Sequence, residues 1–371
     1  MDPAVKVAYD AKRDFSTKAF QSACYAPFVS LSFTPRGEVQ VCCRNWQYSL
    51  GNVGRQSLAE VWNGPELKRL RTEMNDYKFG FGCDLCEWQV VNSNESYANF
   101  FDRFPVASET PEWPQTMNFA LSNACNYECV MCSGELSSLI RSRREGLPPL
   151  PKVYGDSFFA EIRPYLRNLK QIIFYGGEPF ITPECFRMWE MMIEDGLTYP
   201  CHVTTNGSKY NDKVKRILDS LLMSISISLD GATRETLETV RVNAKYDEVM
   251  ANLNLFREHI RRRNTYMNIS FCLMQQNWHE FGDVLLIAED LGIDLFVNTV
   301  VDPEHCSLYK LSKEELNRIV AALEKQAPGL EGRLHKNRHV WEEQLEILRN
   351  SAGGEKSGAL TQLITASTAP K

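Results

Sequence analysis

The sequence predicts an α/β fold, a partial (β/α)6 barrel preceded by a small N-terminal cysteine-rich domain. Three observations carry this expectation. Six strand-like runs occur at 117–122, 171–175, 201–206, 223–229, 267–274 and 294–300. Helical patterns, such as those at 185–194, 212–221, 246–261 and 280–291, separate most of them. Five of the twelve cysteines lie ahead of this rhythm, between residues 21 and 104. Strands alternating with helices imply a parallel sheet with right-handed crossovers, and active sites in such folds gather at the C-terminal strand ends. The expected division is an N-terminal extension (1–20), the cysteine-rich domain (21–104), the barrel (105–335) and a C-terminal helix with a mobile tail (336–371). The Pro-rich stretch Pro105–Pro114 reads as a linker, and the tail from Ser351 is rich in Gly, Ala, Ser and Thr.

Composition narrows the function. The chain has 371 residues, 43% hydrophobic and 24% charged, which excludes a wholly disordered protein. A formal net charge of -6 supplies no general basic field for nucleic acid. No apolar run is long enough to span a bilayer, and Met1–Phe15 lacks a signal-peptide core, so a cytoplasmic protein is expected. In that reducing compartment twelve cysteines suit metal binding better than disulfides. With only six histidines, thiolates are the natural ligands.

Directly after the first barrel strand comes Cys125-Asn-Tyr-Glu-Cys129-Val-Met-Cys132. Three thiolates on one loop can hold three irons of a cubane and leave the fourth open, as a reactive site requires. A structural zinc site is the rival reading; it would need a fourth ligand close by, and the next cysteine in sequence is Cys185. The C-x3-C-x2-C loop resembles that of the radical S-adenosylmethionine (SAM) superfamily. The resemblance implies that the open iron chelates the amino and carboxylate groups of SAM. Reductive cleavage then yields a 5′-deoxyadenosyl radical that abstracts a substrate hydrogen. Met131 stands where the family prefers an aromatic residue, and its apolar thioether can still pack over a cluster.

The later strand ends extend the resemblance. Gly176-Gly177-Glu178-Pro179 matches the family's GGEP motif, whose backbone contacts the SAM amino group; Glu178 is also a catalytic candidate. Thr205-Asn206-Gly207 resembles the TNG signature. In Met223–Asp230, alternation places Ser224, Ser226, Ser228 and Asp230 on one face and Met223, Ile225, Ile227 and Leu229 on the other. By analogy Asn206 and Ser228 lie near the SAM ribose and methionine, and Arg241 pairs with its carboxylate.

Ahead of the barrel, Cys24-x12-Gly37-x4-Cys42 is followed by Cys83-x2-Cys86, a possible complete thiolate set. Ser57 and Glu60 form a capping box that opens a helix carrying Val61, Trp62, Leu67 and Leu70. This segment resembles the SPASM/Twitch accessory domains of radical SAM enzymes, in the shorter, single-cluster form, although it precedes the barrel where the family usually places it after. Cys43 adjoins Cys42 and leaves the choice of ligand open; zinc is again the rival metal. The implied cofactors are two 4Fe-4S clusters and SAM.

Cys306, in Asp302-Pro-Glu-His-Cys306 beyond the sixth strand, is a candidate hydrogen donor, with Asp302, Glu304 and His305 as proton acceptors. Cys185, Cys201 and Cys272 read as packing residues. The basic run Arg257, Arg261, Arg262 and Arg263 suits a helix C-terminus or an acidic electron donor of the flavodoxin or ferredoxin type. The favoured expectation is an oxidoreductase or maturase acting on a peptide or small molecule. The alternatives are a redox-neutral epimerase using Cys306 and a non-catalytic iron–sulfur or zinc protein. The oligomeric state is not read from the sequence.

Overall fold

The structure is a computed structural model that describes residues 1–93 and 96–353. The expected mobile tail therefore lies, from residue 354 onward, outside the described residues. Two compact units divide the chain: residues 1–123 with 149–202, and 124–148 with the residues from 203 onward.

The first unit contains β1 (Ser30–Phe33), β2 (Glu38–Gln40), β3 (Gly51–Asn52), β4 (Thr116–Phe119) and β5 (Gln171–Phe174). β1 runs antiparallel to β2 and parallel to β4, and β4 is parallel to β5. The cysteine-rich segment thus adds its own strands to the first barrel strand. In-register pairing brings Phe33, Phe119 and Phe174 side by side, with ring centroids 4.8 and 5.7 Å apart. These stacked rings, all fully buried, form the apolar face. Period-two alternation turns Ser32, Asn118 and Tyr175 to the other face, where the Ser32 and Tyr175 hydroxyls are 2.9 Å apart.

β6 (Cys201–Thr205) begins in the first unit and ends in the second. The second unit contains β7 (Met223–Ser228), β8 (Met267–Leu273) and β9 (Asp294–Thr299), joined in parallel. Ile225, Ile227, Ile269 and Phe271 are fully buried on one face. On the other, Ser226 Oγ donates to Asn268 Oδ1 at 2.5 Å, and Asn298 Nδ2 donates to Ser270 Oγ at 2.7 Å. The polar face read from alternation is present.

All six predicted barrel strands occur, each near its expected place, and helices Pro183–Glu194, Asp212–Ser220, Tyr246–Arg263 and Phe281–Leu291 follow the predicted patterns. One helix is corrected. The Ser57–Glu60 capping box is formed, but the segment behind it is two helices, Leu58–Trp62 and Pro65–Asn75. Pro65 has no N–H to continue the first helix and is instead suited to open the second. The Pro-rich linker is pinned down: Val106 exchanges backbone hydrogen bonds with Thr17 and Ala19, and Trp62 Nε1 donates to Pro111 O at 2.8 Å. Among the described residues no helix is long and apolar enough to cross a membrane.

Phe119 lies between two ring neighbours and is fully buried, so Phe119→Ala should destabilise the protein by about 3–5 kcal/mol. Denaturant unfolding measures it, and a loss below about 1 kcal/mol would show that the ring ladder is not a stabilising core.

Candidate active site and accessory thiols

In the second unit the three-cysteine loop is held by its backbone. Glu128 N donates to Val242 O at 3.0 Å and Val130 N to Val240 O at 2.9 Å, so the loop pairs with the segment around Arg241. Arg144 reaches back from a short π-helix, Ile140–Arg144, to donate to the carbonyls of Glu128 and Cys129. The Ser137 hydroxyl donates to Tyr127 O at 2.7 Å. Side chains tie the loop to the turn after β6: Asn206 Nδ2 donates to Asn126 Oδ1, and Asn126 Nδ2 to Ser208 Oγ, both at 3.0 Å. Gly207 between them has φ +73°, a conformation glycine adopts without strain.

Arg241 lies behind Cys129. Its Nη2 is 2.6 Å from Asp230 Oδ2, and its Nη1 is 3.8 Å from Cys129 Sγ. Asp230 Oδ1 in turn accepts from the Cys272 backbone N–H at 2.6 Å. Burial pushes the Asp230 carboxyl up, against the opposing pull of Arg241. Burial would lower Arg241, but the Asp230 charge beside it outweighs burial and holds the guanidinium protonated. Arg241 thus has a protein carboxylate as its partner, where the resemblance implied that of SAM. Ser228, at the end of β7, is half-buried on the polar face.

The chemistry of the loop suits a cluster. Cys125 and Cys132 are half-buried, Cys129 is buried, and none of the three is in a disulfide. Burial pushes the Cys132 thiol up to about 11, reinforced by Cys129, and burial also raises Cys129. Binding iron would require these thiols as thiolates. Among the described residues no three Cys, His, Asp or Glu side chains are grouped so as to hold one metal ion. The ligands of a cubane go to different irons and are held apart by the cluster.

Gly176 and Gly177 belong to the first unit, with φ +75° and +50°, and Tyr175 N anchors their turn to Phe119 O at 2.9 Å. Glu178 is fully buried, and its carboxylate accepts from Phe180 N at 2.9 Å, capping a short 3-10 turn, Pro179–Ile181.

The accessory cysteines also lie in the first unit. Gly37 closes the β1–β2 turn at φ +80°, where an added Cβ would meet Val153 Cγ1 at 2.5 Å. That close approach is a physical reason for the glycine in Cys24-x12-Gly37-x4-Cys42. Cys24, Cys42 and Cys86 are buried and Cys83 half-buried. Burial raises Cys24 and Cys42; Cys86 and Cys83 add to both, and at Cys42 the neighbouring Cys43 acts more strongly than either. Burial, with Cys86, pushes Cys83 up to about 12, against a 3.1 Å hydrogen bond from Asn45 Nδ2. Cys43 is exposed, and its thiol lies 3.5 Å from the Tyr97 hydroxyl.

Cys306 is fully buried in a cluster with Val240, Met274 and Val300, against which Val130 and Met131 of the three-cysteine loop and Cys272 pack, while His305 and Glu304 are exposed. Cys185 and Cys201 are buried. Arg257 donates to Leu291 O, Arg262 pairs with Asp219, and Asn264 caps the helix in the left-handed conformation. Sequence reasoning missed the roles of Asn126, Ser208 and Asp230 in supporting the loop. It also missed Cys272, whose thiol burial raises and which feels Asp230, Arg241, Cys129 and Cys132. Its signal was alternation: Cys272 shares the polar face with Asn268 and Ser270.

Two matched families agree with these two thiol sets. The radical SAM superfamily matches residues 119–288, and the SPASM iron–sulfur cluster-binding domain matches residues 24–87. The chain thus carries a radical SAM domain and, ahead of it, a SPASM domain. Its fold class is that of the partial radical SAM barrel, and the cofactors of the two domains are SAM and 4Fe-4S clusters. Among relatives, the AdoMet-dependent heme synthase of Methanosarcina barkeri is 23% identical over 181 residues, covering 48% of each chain. A GTP 3′,8-cyclase of Saccharophagus degradans is 21% identical over 183 residues, covering 48% of this chain and 52% of that one. The present chain spans about half the length of these relatives. Among solved structures, Streptococcus suis SuiB bound to S-adenosylmethionine has a TM-score of 0.42 and 13% identity, over 59% of this chain and 49% of that one. Native anSMEcpe with bound AdoMet has a TM-score of 0.43 and 15% identity, over 60% and 63%.

The Asp230–Arg241 pair gives a stability test. Asp230→Asn leaves a buried guanidinium without its countercharge and should cost about 3–5 kcal/mol. Adding Arg241→Met removes that charge and should recover part of the loss. Unfolding of both single variants and the double variant checks this; strictly additive losses would show that the two residues do not act as a pair.

Proposed function

We propose that this protein holds a SAM-binding cluster on Cys125, Cys129 and Cys132, starts radical chemistry on a peptide or small-molecule substrate, and oxidises or cross-links it with an accessory cluster on Cys24, Cys42, Cys83 and Cys86. The observation that carries the reading is the pinned three-cysteine loop, joined through Asn126 to Asn206 and backed at Cys129 by Arg241. SAM and its cluster supply a 5′-deoxyadenosyl radical when bound.

The chain's own residues have separable tasks. Arg241, held by Asp230, offsets negative charge at the Cys129 thiolate. Asn206 and Ser228 supply polar contacts for SAM, and the Gly176–Gly177 turn leaves its backbone bare of side chains. Glu178 shapes the end of that turn and is a positioning residue in this reading. Four mutually interacting thiols suit a cluster with every iron ligated by protein, able to take one electron and unable to bind substrate directly. An external donor of the flavodoxin or ferredoxin type supplies the reducing electron. The oxidative reading is preferred to the epimerase because an accessory cluster with every iron ligated by protein can take an electron, whereas Cys306 is fully buried.

Replacing Cys125, Cys129 and Cys132 together with alanine should abolish 5′-deoxyadenosine formation while sparing the accessory cluster. Anaerobic analysis should count about eight irons in the parent and about four in the variant, with matching sulfide and no stoichiometric zinc. Retained 5′-deoxyadenosine formation in the variant would sink the assignment.

A further inference from the structure

Cys24 lies in a stretch, residues 21–25, that is neither helix nor strand. Its buried carbonyls therefore have no helix or ladder to pair with. Side chains supply the partners instead. Arg13 Nη1 donates to Ser22 O at 2.7 Å, the Tyr9 hydroxyl to Ala23 O at 3.0 Å, and Ser22 Oγ to Cys24 O at 3.2 Å. Cys24 Sγ in turn accepts from Ala26 N at 3.4 Å. Tyr9 and Arg13 both belong to the N-terminal extension.

Arg13 is itself locked in place. Its side chain is fully buried, and its Nε and Nη2 form a fork on the Asp102 carboxylate at 2.9 and 2.7 Å. The guanidinium carbon lies 4.7, 4.9 and 5.4 Å from the ring centroids of Tyr9, Phe15 and Tyr25. A cation stripped of water is kept only where carboxylate, hydrogen bonds and rings replace its hydration. Such a group fixes geometry more than it adds stability, and the geometry fixed here is the approach to Cys24.

We propose that Arg13 and Tyr9 are positioning residues for Cys24, and that the N-terminal extension is a clamp keeping the accessory cluster ligated at all of its irons. Cys42 stands just beyond β2, and Cys83 and Cys86 stand at the start of helix Asp84–Ser93. Cys24 has no such element before it and depends on these side-chain anchors. A ligand is held to its metal only as well as its supporting shell holds the ligand. The proposal rests on the accessory-cluster reading above.

The test uses the full chain in the Cys125, Cys129 and Cys132 alanine background, reconstituted anaerobically, so that only the accessory cluster is present. There the unmodified clamp should hold about four irons through mild oxidation with ferricyanide. Arg13→Lys keeps the charge but loses the fork and the reach to Ser22 O. It should lose about one iron per cluster on oxidation and gain the electron paramagnetic resonance signal of a three-iron cluster. Cys24→Ala should show that signal in full. Tyr9→Phe, which removes one oxygen and keeps the ring, should show it in part, and reads the clamp even if Arg13→Lys does not fold. Phe119→Ala is the control: it destabilises the same unit without touching the clamp, and should show no three-iron signal. Absence of the signal in both clamp variants would overturn the proposal. So would loss of whole clusters in step with unfolding, shared by Phe119→Ala. A background protein that holds no iron at all would instead overturn the accessory-cluster reading itself.

Discussion

The buried contact between Arg241 and Asp230 is the constraint around which the three-cysteine loop is arranged. A guanidinium placed behind Cys129 with no countercharge would be costly, and Asp230 at the end of β7 supplies that charge at 2.6 Å. The same carboxylate accepts the Cys272 backbone N–H, so one ion pair joins the ends of β7 and β8 to the segment that pairs with the loop. Arg241 Nε has no hydrogen-bond partner among the described residues, so this buried cation keeps some unused donor capacity. Such a pair is a weak source of net stability and a strong source of geometry, because breaking it costs far more than never having built it.

Around that pair the loop is held by hydrogen bonds and by apolar packing together. Backbone pairing at Glu128 and Val130 sets its path, and the Asn126–Asn206–Ser208 contacts set its spacing from the turn after β6. Tyr127, Cys129 and Ala244 form one small apolar cluster, and Val130 and Met131 pack against a second, of Val240, Met274, Val300 and Cys306. Thiols kept above their ordinary pKa by burial are poor ligands until a metal displaces their protons, so assembly of a cluster on this loop is coupled to pH and to iron supply.

The first unit solves the same problem differently. Its thiols come from three separate segments: the approach to β1, the end of β2 and the start of helix Asp84–Ser93. The strands between them are anchored by the ladder of Phe33, Phe119 and Phe174. Because β1 pairs directly with β4, the accessory segment and the first barrel strand share one apolar face and one polar face. The position of Tyr175 follows from that shared sheet, since alternation along β5 turns its phenol toward Ser32.

By itself the sequence determined the local features: six strands and their helices, the capping box at Ser57, the two cysteine patterns and the glycine turn at Gly176–Gly177. Each is written in a contiguous window, as a period of two or 3.6 or as a motif whose spacing has a physical cause. Tertiary structure alone decided the contacts made across long separations. It paired Arg241 with Asp230, enclosed Cys306 in apolar side chains, brought Cys272 within reach of the charges at Cys129 and Cys132, and added β1 to the barrel strands. Such contacts depend on strand order and on which face each residue presents once the sheet has formed. A single sequence records a residue's type and its period, and the identity of the neighbour across the sheet is set only when the chain folds.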